Sequence, residues 1–425
     1  MIVTGAILLL LFLLSLGMPI GFTLIVVGSL GIYTVGGIDA FSGILSTTAY
    51  RSVNSFTLTT IPLFILMAHF ISKSNIARDL YSATLKWIGH IPGGVGISTV
   101  FASAGFGALS GSSVAATSIM SKICVPEMVQ AKYKDTFSAG LVASTTGTLA
   151  VMIPPSIPLI LYAIQTETSV GKLLIAGILP GIMLAVLLCI YIVIYSVKMD
   201  NKIEKSSWSA RFSSLKTIWP MILLIIIIMS IIYLGIATST EAAAFGAFGA
   251  LIIGILLGKL NIGDIKESFH DAIQQTAMIF VIVIGGYIFS YFITMTGVGQ
   301  NIIIYISESG FSKWTVLTFI ILFFLVIGLF LDLIASLILT LPLVHPLMVN
   351  MGFDEIWFGV LVVLLLEIGL VTPPVGLNLF ITSNYTGISV QRVFYGSIPF
   401  IGILLLAVLI LVLFPQLATF LPGQM

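Results

Sequence analysis

The sequence predicts an all-α polytopic membrane protein, and composition is the first observation that does so. Of its 425 residues, 59% are hydrophobic and 8% are charged, whereas soluble domains carry about 25% charged residues. Many of its apolar runs approach the roughly 20 residues that a helix needs to cross a bilayer. The second observation is that proline pairs interrupt two of these runs, and the third is that the halves of the chain resemble each other.

Charge and motif content argue against several classes of function. The formal net charge of +1 gives no indication of a nucleic-acid partner. Four histidines and two cysteines are scattered along the chain, and CxxC, HExxH and Gly-rich phosphate loops are absent. We therefore expect no covalent cofactor and no catalytic metal. The first apolar run has no basic region before it, which favours a membrane span over a cleaved signal peptide.

The proline pairs Pro154–Pro155 and Pro373–Pro374 lie in runs that would otherwise be membrane helices. Proline removes a backbone N–H and clashes with the carbonyl four residues earlier. The freed carbonyls find no water in a bilayer, so protein or a ligand must satisfy them. We interpret 137–162 and 356–386 as broken helices. Each break can coordinate a cation with carbonyl oxygens and bind an anion at the new helix N-terminus.

The two halves also repeat. Pro154 and Pro373 lie 219 residues apart (373 − 154). Other pairs match at the same offset: Asp135 with Asp354, Gly140 with Gly359, Gly177 with Gly396, and Pro180 with Pro399. Repeated halves with proline-broken spans at corresponding positions are typical of secondary transporters whose site lies at the repeat interface. Chance similarity between two apolar halves is the alternative.

A basic connection divides the halves and predicts the domain organisation. It holds five of the 17 basic residues, which places it in the cytoplasm by the positive-inside rule. Short apolar runs on both sides of it are predicted to be hairpin arms or half-helices, and amphipathic stretches to be interfacial arm helices or polar loops. The predicted parts are 1–197 as the first repeat (hairpin 94–125, broken helix 137–162), 198–217 as the linker, and 218–425 as the second repeat (arm helix 296–314, hairpin 315–350, broken helix 356–386).

The stretch 101–120 is the densest polar segment within an apolar region. Its glycines let the backbone approach an ion closely. Serine hydroxyls and unwound carbonyls are oxygen ligands suited to a small alkali cation, and hydroxyls also hydrogen-bond carboxylates. Tight helix packing through small residues is the alternative. The run "SGSS" at 110–113, placed at a turn, favours a binding site.

Isolated acids mark a second region. Asp332 lies in an apolar run, where a charge costs about 3 kcal/mol or more in a membrane. It aligns with Ser113 at the 219 offset, so we expect it near the second hairpin tip, binding sodium or carrying a proton. A capping acid at a helix end is the alternative. Glu367, Ser156 and Asn378 flank the breaks, and we expect them near a bound anion.

Together these stretches resemble the large membrane subunit of tripartite ATP-independent periplasmic (TRAP) transporters. The resemblance rests on "GALSGSSVAATSIM…VPEM" at 107–128, "IPPSIPLILYA" at 153–163 and "LDLIASLILTLPLVHPLM…EIGLVTPPVGLNLF" at 331–380. It extends over nearly the whole chain. The chain departs from the family where "AKYK" follows the "PEM" segment in place of a "GY", which concerns a loop surface.

The resemblance implies an elevator-type ion-transporter fold of two inverted repeats with re-entrant hairpins, in a bacterial inner membrane. It implies a small membrane subunit and a periplasmic substrate-binding protein as partners, sodium as coupling ion, and an organic acid, of C4-dicarboxylate or sialic acid type, as substrate. The implied sodium residues are Ser103, Ser112, Ser113, Gly147, Asp332, Thr372 and Gly376. The implied substrate-binding residues are Ser110, Pro154, Pro155, Ser156, Glu367, Pro373, Pro374 and Asn378.

Other functions remain open at this point. A stand-alone sodium-coupled carboxylate symporter would need no binding protein, and a proton-coupled one would use Asp332 and Glu367. An ion channel would need a repeated polar stripe along its spans, and an intramembrane enzyme would need a nucleophile with a base. The sequence shows neither pattern, so we expect no enzyme.

Overall fold

The computed structural model describes residues 2–197 and 204–425. Helices make up the regular structure of these residues. They are α1 (Ile2–Ser15), α2 (Ile20–Val53), α3 (Thr60–Lys73), α4 (Ile76–Ile88), α5 (Gly94–Ser110), α6 (Ser113–Gln130), α7 (Asp135–Met152), α8 (Ile157–Thr166), α9 (Val170–Ala176), α10 (Ile178–Ser196), α11 (Trp208–Tyr233), α12 (Ser239–Leu256), α13 (Ile262–Thr296), α14 (Val298–Glu308), α15 (Lys313–Gly328), α16 (Leu333–Asn350), α17 (Glu355–Leu370), α18 (Leu377–Thr386), α19 (Val390–Leu413) and α20 (Gln416–Thr419).

Within the described ranges, seven helical segments are long and apolar enough to cross a membrane. They are Ile20–Val53, Val170–Ser196, Trp208–Tyr233, Ser239–Leu256, Ile262–Thr296, Leu333–Asn350 and Val390–Leu413. Two more pairs of helices qualify together but bend at a break: α3 with α4 by 65° and α7 with α8 by 47°. The helical membrane protein predicted from composition is confirmed. α16 is long enough to span, although the sequence predicts it as a hairpin arm.

The starts of four helices recur in the second half 219 or 220 residues later. The corresponding pairs are α5 with α15, α6 with α16, α7 with α17, and α8 with α18. Each half therefore contains a helix–turn–helix followed by a helix that is interrupted at its proline pair. We call α5–α6 hairpin 1, α15–α16 hairpin 2, residues 153–156 break 1 and residues 371–376 break 2.

The predicted linker 198–217 differs from the structure in its second half. α11 begins at Trp208, where the Ser207 hydroxyl accepts a hydrogen bond from the Ala210 N–H and caps the helix. Arg211 is buried, and its carbonyl accepts a 3.2 Å hydrogen bond from Trp87 Nε1 in α4. Residues 208–217 are thus a packed helix start. Residues 198–203, including Lys198 and Lys202, lie outside the described residues.

Helix packing forms two groups. α2 packs on α13 and α3 packs on α12, and we call these four helices the frame. The hairpins and broken helices interlock, because α6 packs on α18 and α16 packs on α8, each across the two halves. α7 packs on α19 at a close backbone approach, where a Cβ added at Gly396 would collide with the Thr136 carbonyl. Arg392 also donates to both carboxylate oxygens of Asp135 at 2.8 and 2.6 Å.

Candidate functional site

Each hairpin tip contacts the break of its own half. Gly111 turns hairpin 1 with a left-handed φ of +58°, and its carbonyl accepts a 3.3 Å hydrogen bond from the Ile157 N–H just after break 1. Correspondingly, the Val375 N–H of break 2 donates to the Leu329 carbonyl at the tip of hairpin 2, also at 3.3 Å. Because of these hydrogen bonds, tip and break form one structural unit in each half. Both proline pairs contain a cis peptide bond.

The first residue of α6 also reaches the other half of the chain. Ser113 Oγ donates a 3.0 Å hydrogen bond to Glu367 Oε2 in α17, and Asn378 Nδ2 in α18 donates to Ser113 Oγ at 3.1 Å. Gly147 of α7 closes the group, because a Cβ there would lie 2.7 Å from Asn378 Nδ2 and 3.1 Å from Glu367 Oε2. We call Ser113, Gly147, Glu367 and Asn378 the Ser113 cluster. It unites four candidate residues from both halves.

Two oxygens of this cluster lack a hydrogen-bond donor among the described residues. They are Glu367 Oε1 and Asn378 Oδ1, both of them buried. A buried acceptor without a donor costs about 1–3 kcal/mol, and more when it is charged. The cluster contains oxygen acceptors and no basic side chain, so it is suited to a cation.

The remaining candidates of the first half sit on either side of the cluster. Ser103 Oγ lies 3.0 Å from Thr146 Oγ1, which directly precedes Gly147, and both side chains are fully buried. Ser112 caps α6 by accepting from the Ala115 N–H at 3.4 Å. Hydroxyls of α5 and α7 thus meet one residue before Gly147, and the Ser113 hydroxyl of α6 lies beside Gly147 itself. The sequence analysis did not identify Thr146. Its grouping with the hydroxyl residues Thr145 and Thr148 inside an apolar helix could have indicated it.

The second tip presents Asp332 to a large cavity. Asp332 caps α16 by accepting from the Ala335 N–H at 3.3 Å. It also lines a cavity of about 1020 Å³, together with Ser112 and Ser113 of the first tip. Asp332 therefore lies near the tip of hairpin 2, as predicted. It also caps a helix end, as the alternative interpretation predicted. Residues of both hairpin tips therefore line the same cavity.

The frame supplies the opposite wall of this cavity. Its lining includes Asp271, Gln274 and Gln275 of α13, followed one turn later by Met278. Spacings of three, four and seven residues place these side chains on one helix face. Sequence reasoning missed them, and the same spacing was the signal that could have identified a polar stripe in a membrane helix.

None of the predicted substrate-binding residues is among the residues that line the large cavity within the described chain. Pro154, Pro155 and Ser156 are buried, and Ser156 caps α8 by accepting from the Leu159 N–H at 3.3 Å. Pro373 and Pro374 are exposed. The two breaks therefore share a position in the sequence but differ in their surroundings.

Break 2 places the last two sodium candidates near Leu329 of hairpin 2. Thr372 Oγ1 donates a 2.7 Å hydrogen bond to the Ile368 carbonyl, and Gly376 directly precedes α18 with a left-handed φ of +57°. Within residues 2–197 and 204–425, no group of three or more His, Cys, Asp or Glu could hold a metal ion. A cation here would depend on hydroxyl and carbonyl oxygens with single carboxylates, which are hard ligands.

Comparison with solved structures finds a chain of similar fold. The chain is similar to the Alcanivorax borkumensis YdaH transporter with a TM-score of 0.65, at 12% sequence identity, over 89% of each chain. That crystal structure is described as revealing an unusual topology. At this identity the likeness shows a shared fold.

Comparison with known sequences shows the family. The chain is 34% identical over 384 residues to the C4-dicarboxylate TRAP transporter large permease protein DctM of Pseudomonas aeruginosa, covering 89% of both. It is 29% identical over 420 residues to the sialic acid TRAP transporter large permease protein SiaM of Vibrio cholerae, covering 96% of both. These relatives are named as permeases, which are not enzymes.

The family described as "Tripartite ATP-independent periplasmic transporter, DctM component" matches residues 7–417. Together with the apolar helices, this match confirms the predicted multi-pass localisation in the inner membrane. The chain belongs to the TRAP transporter family as its large membrane permease, the DctM component.

Proposed function

We propose that this permease imports an organic acid by coupling its movement to a sodium gradient. The observation that carries the proposal is the meeting of both hairpin tips in one cavity, with Ser112 and Ser113 on one side and Asp332 on the other. Each tip also contacts the break of its own half. The candidate cation ligands and the N-termini of α6 and α16 therefore lie at one cavity, an arrangement that secondary transporters use at the junction of their repeats.

Sodium is assigned to the two tip-and-break units. In the first unit the ligands are Ser103, Ser112, Ser113 and Gly147, and in the second they are Asp332, Thr372 and Gly376. The buried acceptor oxygens beside Ser113 support a positive charge at the first tip, and the carboxylate of Asp332 supports one at the second. A bound cation would offset the cost of keeping these oxygens away from water.

The substrate is assigned to the large cavity between the tips. α6 and α16 both begin at its wall, so their first N–H groups and their dipoles favour a carboxylate there. A volume of about 1020 Å³ accommodates a small organic acid. C4-dicarboxylates and sialic acid are the two candidate classes, since relatives are named for each. The other predicted substrate-binding residues would hold the tips in position without lining this cavity. They are Pro154, Pro155, Ser156, Glu367, Pro373, Pro374 and Asn378.

An elevator movement is proposed together with opposite directions of the two repeats, and one contact supports those directions. Tyr162, near the far end of α8, donates a 2.9 Å hydrogen bond to the Glu355 carbonyl at the start of α17. α7 and α8 continue in the same general direction, with a bend of 47° between them. α17 therefore starts on the side where this first broken helix ends. The proposed moving part is residues 94–180 and 315–395, which slides against the frame.

The partners are proposed to be a small membrane subunit and a periplasmic binding protein. The family description names a tripartite transporter, and the permease is one of its components. The lipid bilayer surrounds the apolar helices, and no feature of the described surface argues for nucleic acid. The alternative is a stand-alone symporter that is driven by sodium or protons.

Uptake into proteoliposomes tests this function. The chain would be reconstituted with its small subunit, with and without binding protein, and supplied with radiolabelled succinate or sialic acid under sodium or pH gradients. Uptake that needs both sodium and binding protein supports the proposal and identifies the acid. Uptake without binding protein favours the stand-alone symporter. A requirement for a pH gradient in place of sodium contradicts sodium coupling.

A further inference from the structure

A second cavity of about 290 Å³ adjoins the large one. It lies between hairpin 1 and the frame helices α3 and α13. The two cavities share lining residues, among them Ser112, Ile157 and Gln275. The two cavities are therefore direct neighbours at the tip of hairpin 1.

The second cavity lies on the cytoplasmic side of the tips. Its wall includes Lys73, the last residue of α3, which pairs with Glu267 near the start of α13. α4 follows directly, and its Trp87 donates to the Arg211 carbonyl in the basic segment. The positive-inside rule places that segment in the cytoplasm. The second cavity therefore lies toward the side on which an imported acid is released.

Lys122 of α6 gives this cavity a cation without an acidic partner. No carboxylate of the described residues lies within ion-pair distance of its Nζ, whereas Lys73 in the same wall is paired. The Lys122 Nζ instead lies 4.2 Å from the centre of the Tyr385 ring in α18. Such a cation–π contact restrains the ammonium while leaving its charge available.

A hydroxyl on the same hairpin complements the lysine. Ser110 also lines the second cavity, is 3% exposed, and has no hydrogen-bond partner among the described residues. The opposite wall carries Asp271, with His69 Nδ1 3.9 Å from its carboxylate. An anion is repelled from Asp271 and attracted to Lys122, so the hairpin side of the cavity is the favourable one.

We propose that Lys122 and Ser110 form a carboxylate subsite on the cytoplasmic side of the transport site. The inference rests on the proposed function, because it needs an organic acid that passes from the tips to the cytoplasm. The Lys122 ammonium pairs with a carboxylate of the acid, and the Ser110 hydroxyl donates a hydrogen bond to an oxygen of the acid before release. The subsite belongs to hairpin 1 and acts on the acid from the cytoplasmic side alone.

The test compares acid binding from the two sides of the membrane. The full complex, with saturating binding protein, is reconstituted right-side-out, and uptake is measured with whichever of succinate and sialic acid the wild type transports. Luminal unlabelled acid is varied to obtain its half-inhibiting concentration. The variants are Lys122→Met, Lys122→Gln and Lys122→Arg, with Lys134→Met as a control. Lys134 is an exposed lysine that lines neither cavity.

Neutral variants are expected to raise the luminal half-inhibiting concentration about tenfold, the loss of one charged contact. The external KM should stay within about twofold, and the Lys122→Arg and Lys134→Met variants should resemble wild type. An unchanged luminal value in both neutral variants overturns the subsite while the proposed function stands. Equal increases on both sides place Lys122 in the central site and also overturn it. Wild type that transports neither acid removes the proposed function and the subsite together.

Discussion

Ser113 Oγ donates a 3.0 Å hydrogen bond to Glu367 Oε2 across 254 residues of sequence. The hydroxyl has a single proton, so it accepts the second contact, from Asn378 Nδ2 at 3.1 Å. The tip of hairpin 1 is thereby held by two helices of the second half. Its position, and that of the cavity wall it forms, depends on how α17 and α18 are placed.

Gly147→Ala should displace this tip. The added Cβ would collide with Ser113 Oγ and lie 2.7 Å from Asn378 Nδ2. Overpacking of a buried group costs about 1–3 kcal/mol, and we expect sodium-dependent uptake to fall at least tenfold at equal protein amounts (about 1.4 kcal/mol per factor of ten). Gly105→Ala is the matched control, since its Cβ would meet only Leu80, at 3.7 Å. Wild-type uptake by Gly147→Ala would exclude the cluster from coupling.

Glu367→Gln and Glu367→Leu should differ. Gln keeps an acceptor for Ser113 and has nearly the same size as Glu, so we expect a folded protein with uptake within about threefold of wild type. Leu leaves the buried Ser113 hydroxyl without its acceptor, at about 1–3 kcal/mol. Its apparent unfolding temperature in detergent and its uptake should both fall.

The comparison of these two variants isolates the carboxylate charge. If Glu367→Gln loses uptake as fully as Glu367→Leu while its unfolding temperature stays at the wild-type value, the negative charge itself is required. Glu367 would then be a direct cation ligand, and the hydrogen-bond explanation would be wrong.

The Ser113 cluster also shows how far sequence reasoning reaches. The proline pairs and the "SGSS" turn predicted the breaks and a tip, and local rules suffice for both because proline and glycine act on their own backbone. The sequence placed Asn378 beside break 2. The structure places it against Ser113, because α18 packs on α6 of the other half. Such cross-packing depends on tertiary fit, which residue spacing does not encode.

The sequence pattern did not predict some other features of the structure, for different reasons. Trp208 begins a helix inside the predicted linker because Ser207 caps it and Arg211 packs against α4. Lys122 is an ordinary charge in the sequence, and only the fold shows that it lines a cavity without an acidic partner. The spacing of Asp271, Gln274 and Gln275 predicts a polar stripe on one helix face. It does not predict which surface of the protein that stripe faces.

Asp332→Asn should separate the two roles of this residue. Asn caps helices about as well as Asp, so the 3.3 Å contact with the Ala335 N–H can persist and stability should change little. Loss of the carboxylate charge should raise the sodium concentration for half-maximal uptake at least tenfold. Asp332→Ala should lose the cap as well, at about 1 kcal/mol, and unfold at a lower temperature.

Sodium titrations of uptake by wild type, Asp332→Asn and Asp332→Ala provide the measurement, with unfolding temperatures measured in parallel. A wild-type sodium dependence in Asp332→Asn would remove this carboxylate from the second sodium site. Asp332 would then serve as the cap of α16 alone.

Gly396→Ala should destabilise the contact between α7 and α19, which links the two halves. Its Cβ would collide with the Thr136 carbonyl, a backbone atom that cannot move aside as a side chain can. We expect a loss of about 1–3 kcal/mol, seen as a lower apparent unfolding temperature of the purified chain in detergent. Gly402→Ala in the same helix is the control, because its Cβ would meet nothing within 4 Å. Equal unfolding temperatures for both variants would mean that the two helices separate without cost, and that this backbone contact does not hold the halves together.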